Sequence, residues 1–162
     1  MKKILISLLA LTSFIFMGCD LMIDAIGVHN GLVQNADAVV IAEEVFYDEY
    51  WALSEDGDTT PFLESFDSFK TTAGELETYM EVTKFTKQQQ PMVKEYYDRY
   101  KPVLDGYLKV AEEFVGEVEG NGYSFEALES YFAELDGYTI DFVAADDTFA
   151  AVINTLADIT NQ

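Results

Sequence analysis

Few side chains in this sequence have the type and setting for chemistry. They are one histidine, one cysteine, a carboxylate on an otherwise apolar stripe and a short acidic turn. His29 is the single histidine. A di-iron bundle needs Glu-x-x-His on two helices, and the residue three before His29 is Ile26. Covalent haem attachment needs Cys-x-x-Cys-His, which is absent. A Ser-His-Asp triad would have to recruit His29 from a segment read below as a tether. Cys19 is the only cysteine, which excludes an internal disulfide and a cysteine-cluster zinc site. Glu55-Asp56-Gly57-Asp58 could attract calcium. Counted from Asp56, however, the glycine position of an EF-hand loop is Pro61 and the closing position is Asp67, so that pattern fails.

Asp146 falls on the apolar stripe of the last helix, with Asp147 after it. A buried carboxylate must be hydrogen-bonded, or its pKa rises. Tyrosines are plentiful on the other helices, so an internal Tyr–Asp network is expected. Its functional form is a small-ligand pocket inside the bundle around Asp146, Tyr100 and Tyr107; its structural form is a satisfied acid that fixes helix register. Tyr47, Tyr50 and Trp51 cluster near the end of the first helix and suit a partner or sugar-binding face. No metal, cofactor or nucleotide motif is present, and no enzyme is expected. A hydrolase working through carboxylates alone ranks third, after an interaction module and a ligand carrier.

Nine basic residues stand against thirty acidic ones, for a net charge of -21. That field repels phosphate backbones, so nucleic acid is excluded as a partner. Hydrophobic content of 49% is too high for disorder, and 162 residues suit one domain with a single core.

The N-terminus carries its own signal. Lys2 and Lys3 precede an apolar run from Ile4 to Met17, closed by Gly18-Cys19-Asp20. Fourteen residues fit the hydrophobic region of a secretory signal, whereas a membrane-spanning helix needs about twenty. Residues 1–20 resemble the signal and lipobox of bacterial lipoproteins, in which a small residue precedes the cysteine that becomes residue one. Gly18 and Cys19 match that pattern; Phe16 and Met17 depart from its commoner Leu and Ala or Ser. The resemblance implies a diacylglyceryl thioether on Cys19, usually with an amide-linked acyl chain, and two chains make a stable anchor. It places the protein on a cell membrane, lipid-anchored and facing the periplasm or the cell exterior. Asp20 looks like the residue that keeps lipoproteins on the inner membrane of many two-membrane bacteria.

The expected division is therefore a signal peptide (1–18), a tether (19–31) and a helical domain (32–162). Gly27 and Asn30-Gly31 make helix in the tether doubtful. From Leu32 to Ser54, apolar residues recur at three- and four-residue spacing, which predicts the first helix. A turn through Pro61 follows, with Thr60 as N-cap and Pro61 as first helical residue. Phe62, Phe66, Phe69, Ala73, Leu76 and Met80 mark the second helix. Gln88-Gln89-Gln90-Pro91 separates it from a third that carries Val93, Tyr100, Leu104, Tyr107, Ala111 and Phe114, with a kink expected before Pro102. Glu119-Gly120-Asn121-Gly122 forms the last turn. Ser124 then caps a fourth helix whose rhythm, from Phe125 through Phe132, Asp146 and Phe149 to Leu156, passes Gly137 in phase. Four amphipathic helices with short turns predict an all-α, antiparallel up-down four-helix bundle.

That topology puts the turn between the second and third helices on the membrane side. Lys84, Lys87 and Lys94 cluster there as a membrane-proximal basic patch, while the two far turns are acidic. The expected protein is a non-enzymatic, membrane-tethered interaction module whose acidic far end meets an envelope protein.

Overall fold

The computed structural model describes the backbone of residues 2–53, 57–86, 89–121 and 124–160. Within those ranges it describes side chains from Ile26 to Thr155, apart from residues 121, 125 and 127. The described residues form four helices: α1 (Lys2–Ala52), α2 (Thr60–Val82), α3 (Gln89–Asn121) and α4 (Phe125–Thr160). α1 packs on α2 and α4, and α3 packs on α4 and α2, which closes an antiparallel four-helix bundle. The α2–α3 turn lies at the same end as the leader side of α1, because Tyr79 near the end of α2 donates to the Val28 carbonyl at 2.7 Å.

Aromatic layers fill the interior. Towards one end Phe114 meets Tyr50, Phe62 and Tyr131, with ring centroids 5.3–5.5 Å apart. In the middle, Phe69 and Tyr107 lie 5.4 Å apart and Phe142 6.0 Å from Tyr107. Further along, Tyr100 stacks on Phe149 at 5.2 Å. Leu32, Leu76 and Val93 continue the core with no exposure at all. Burying each large side chain is worth roughly 1.5–3 kcal/mol, and each well-oriented ring pair adds about 1 kcal/mol.

The ends of the helices differ from the sequence expectation in two places. The first donor of α2 is satisfied by Asp58, whose Oδ1 accepts from the Thr60 N–H at 2.9 Å. Thr60 is itself helical and is not the cap. α3 starts from a reciprocal pair: the Thr86 N–H donates to Gln89 Oε1 at 3.0 Å, and the Gln89 N–H donates to Thr86 Oγ1 at 3.2 Å. That is a capping box, in which each side chain answers the other residue's unpaired donor.

Helix also begins earlier than the tether reading allowed. α1 runs unbroken through Gly27 and Asn30-Gly31. At Gly31 the missing Cβ is what allows contact, because a methyl there would fall 2.6 Å from Tyr79 Oη. Asn35 Nδ2 donates to the Gly31 carbonyl at 2.7 Å, so Gly31 is contacted by side chains of both α1 and α2. Residues 28–31 thus belong to the bundle. α3 continues as one helix through Pro102, which lies on its exposed face. α4 continues through Gly137.

Candidate functional site

The buried acid of this bundle is Glu43, on α1, and not Asp146. Leu32, Ala36, Val39, Phe46 and Tyr50 are spaced so that position 43 must also point inward, and Glu43 is 4% exposed. The Tyr107 hydroxyl donates to Glu43 Oε1 at 2.9 Å, and Thr139 Oγ1 donates to the Tyr107 oxygen at 2.9 Å. Three helices therefore supply a hydrogen-bonded chain that ends on one carboxylate. Burial raises the Glu43 pKa above the ordinary carboxylate value; the Tyr107 bond opposes that shift, and the charges of Glu44 and Asp146 add to it. The same burial, with the Glu43 charge, raises Tyr107 far above an ordinary phenol.

Asp146 is half-buried at the α1–α4 seam. Its cleft, of about 100 Å³, is lined by Val33, Ala36, Asp37, Ala150, Ile153 and Asn154. Loss of water around it, then the charges of Asp147 and Asp37, push its pKa up to about 6. Asp37 and Asp146 thus both line one small cleft. Ligand pockets are usually about 300–1,000 Å³, so this one takes a few waters and no sugar or metabolite.

Neither tyrosine expected beside Asp146 lines its cleft. Tyr107 is committed to Glu43. Tyr100 is buried against Phe142 and Phe149, and its hydroxyl has no hydrogen-bond partner among the described residues. The three residues proposed as one ligand pocket are therefore split between two places. Larger hollows, of about 310, 530 and 590 Å³, are open grooves beside the α2–α3 turn, between α3 and α4, and between α1 and α2.

The expected aromatic face divides too. Tyr50 is a core residue, 1% exposed, and its hydroxyl donates to the Leu128 carbonyl at 3.3 Å. Trp51 is half exposed and meets the edge of Phe132 at 4.9 Å. Tyr47 packs beside it at 6.1 Å and donates to Asp136 Oδ1 at 3.4 Å. The surface aromatic ridge is thus Tyr47, Trp51 and Phe132. Phe132 was expected inside because it shares the stripe of α4, but it stands on the edge of that stripe and is 36% exposed.

Of the basic patch, Lys84 is exposed just beyond α2, and Lys94 is paired with Asp98 at 3.0 Å on its own helix. Lys87, Glu55 and Asp56 lie outside the described residues, as do the side chains of Cys19, Phe125 and Leu156. The other basic residues pair with acids of α2 and α3. Lys101 reaches Glu77 and Asp105 at 2.9 Å, Arg99 reaches Glu95 at 2.7 Å, and Lys70 pairs with Glu112. His29 is half-buried, with a buried Nδ1 that has no partner among the described residues. Among the described residues no three His, Cys, Asp or Glu side chains group as metal ligands, and no helix is long and apolar enough to cross a membrane.

Comparison with protein-family models, with curated proteins and with solved structures finds no match.

Proposed function

We propose that this chain is a bacterial lipoprotein, held at a membrane through acylated Cys19, and that its bundle is a non-enzymatic interaction module of the cell envelope. The leader and Gly18-Cys19 support the anchor, and the acidic charge supports a role outside nucleic-acid binding. One observation carries the module: where the other large rings among the described residues lie inside or half inside, Trp51 and Phe132 meet on the surface. Aromatic side chains that are apolar in body and polar at one end suit wet protein interfaces.

Two measurements on membranes from cells making the full chain test this reading. A Cys19→Ser chain should leave the detergent phase for the aqueous phase on phase separation; unchanged partitioning would sink the anchor. A photo-crosslinking residue in place of Trp51 should give a discrete protein adduct, whereas the same probe at exposed Asp67 on α2 should not. No adduct at position 51 above that at position 67 would sink the module.

A further inference from the structure

Apolar and charged side chains are sorted between the two halves of this bundle. Among the described residues seven of the eight large exposed apolar side chains lie on α1 and α4; Val82 on α2 is the eighth. Lysine and arginine are sorted the opposite way. From Ile26 to the end of α1, and along the whole of α4, there is none. Lys70, Lys84, Lys94, Arg99, Lys101 and Lys109 all lie on α2, on α3 or between them. There, five of them are paired with acids.

Trp51, Phe132, Ile140 and Val143 lie along the α1–α4 seam together with carboxylates of both helices. Trp51 touches Phe132 across it, and Tyr47 bonds to Asp136 across it. Ile140 lies four residues beyond Asp136 and Val143 seven, so all three share one side of α4. They are 63% and 50% exposed. Glu44 lies seven residues before Trp51 and Asp37 a further seven, on the matching side of α1. Both are exposed, and neither α1 from Ile26 onward nor α4 carries a lysine or arginine to answer them. The surface from Trp51 to Asp37 runs for about 21 Å, or some four helical turns.

We infer that the α1–α4 face, bounded by Trp51, Phe132, Ile140, Val143, Glu44 and Asp37, docks a basic amphipathic helix of a protein partner. The inference rests on the interaction-module reading and names the partner's chemistry. Exposed apolar side chains flanking the seam match the apolar stripe of such a helix, and the unanswered carboxylates match its flanking lysines and arginines. A second copy of this chain would bring the same acids against one another. An anionic lipid surface would be repelled in the same way.

The test uses the full lipid-bearing chain in neutral detergent micelles, with empty micelles as blank. The probe is a dye-labelled, Trp-free Leu/Lys peptide of about eighteen residues, or five helical turns, with its leucines on one face. A shuffled peptide of the same composition is the control. Saturable binding should appear in peptide anisotropy and in the emission of Trp51, the only tryptophan of the chain. Ile140→Lys with Val143→Lys should weaken binding tenfold or more. Ser68→Lys with Thr71→Lys adds the same charge on α2 and should change it less than twofold. Ile140→Ser with Val143→Ser, which keeps the charge, should weaken it at least threefold. Circular dichroism of each variant checks the helices.

Equal binding of the shuffled peptide, equal weakening by the α2 pair, or no saturable binding would overturn the proposal. So would a dimer dissolved by the α4 pair, or Trp51 emission that shifts on addition of anionic vesicles alone. If the face fails while the probe at position 51 still captures a protein in membranes, the module stands and only its docking face is wrong. If neither gives a signal, the module falls as well.

Discussion

Two buried tyrosines of α3 differ in their hydrogen bonding, and the difference has a measurable sign. Tyr107 donates a hydrogen bond to Glu43 and accepts one from Thr139, whereas Tyr100 has a hydroxyl with no described partner. Removing one member of a buried bonded pair costs about 1–3 kcal/mol, because the remaining group keeps its desolvation penalty. Tyr107→Phe should therefore destabilise the bundle by about that much at neutral pH. Tyr100→Phe deletes an unsatisfied group and should be neutral or stabilising by up to about 1 kcal/mol. Urea unfolding of the two variants beside the parent chain decides it; equal losses would mean that Tyr107 contributes as a ring and not as a donor. Glu43 was legible in the sequence only as a gap in a rhythm, since its neighbours on the stripe of α1 are apolar. Asp146 interrupts the stripe of α4 in the same way but ends at the seam. A straight helix has 3.6 residues per turn, so a strict seven-residue repeat drifts about 20° per heptad. The series Phe132, Thr139, Asp146, Ile153 consequently moves from a 36% exposed edge to a 4% exposed interior, with Asp146 part of the way. Spacing alone does not say where along that drift the neighbouring helix stands.

At the scale of the helices, glycines separate propensity from packing. A methyl group at Gly137 would meet nothing within 4 Å, whereas at Gly31 it would meet the Tyr79 ring. Glycine within a helix is about 1 kcal/mol worse than alanine. Gly137→Ala should therefore raise stability by about 0.5–1 kcal/mol, seen as a higher thermal midpoint. Gly31→Ala gains the same propensity but must displace a ring whose hydroxyl is bonded to Val28, so it should give no net gain and should move the Tyr79 ring. A loss at Gly137 as large as at Gly31 would show that α4 bends there and needs the glycine. The long helices and their order were legible because each stripe holds its rhythm over several turns. The start of the bundle was not, because Asn30-Gly31 carries the composition of a turn and nothing nearby in sequence announces Tyr79. The Thr86–Gln89 box was hidden in the same way, inside a glutamine run that reads as a break between helices.

For the whole molecule the controlling quantity is charge, and the bundle should respond to pH accordingly. Asp146 has a pKa of about 6 and Glu43 is shifted in the same direction, both mainly by burial. A carboxyl raised in the folded state binds a proton more tightly there than in the unfolded chain. Between its ordinary value and its raised one the native state thus carries more protons, and stability falls as pH rises through that window. A fully sealed group displaced by two units would shift stability by nearly 3 kcal/mol, but Asp146 is only half-buried, so about 1 kcal/mol is the fitting figure. The general repulsion of a chain with net charge -21 acts in the same direction. The bundle should accordingly be more stable at pH 5 than at pH 7.5, opposite to the usual loss of stability on acidification. Asp146→Asn should raise the denaturant midpoint at pH 7.5 and leave it nearly unchanged at pH 4.5, which flattens the profile; Glu43→Gln, which keeps an acceptor for Tyr107, should flatten it further. Added salt at pH 7.5 should recover the part that comes from long-range repulsion and little of the part that comes from burial, because screening acts on exposed charges. A midpoint that climbs steadily from pH 5 to 7.5 would mean that native carboxylates are held by partners after all, and that the acids of α1 and α4 are not the unanswered surface on which cationic docking depends.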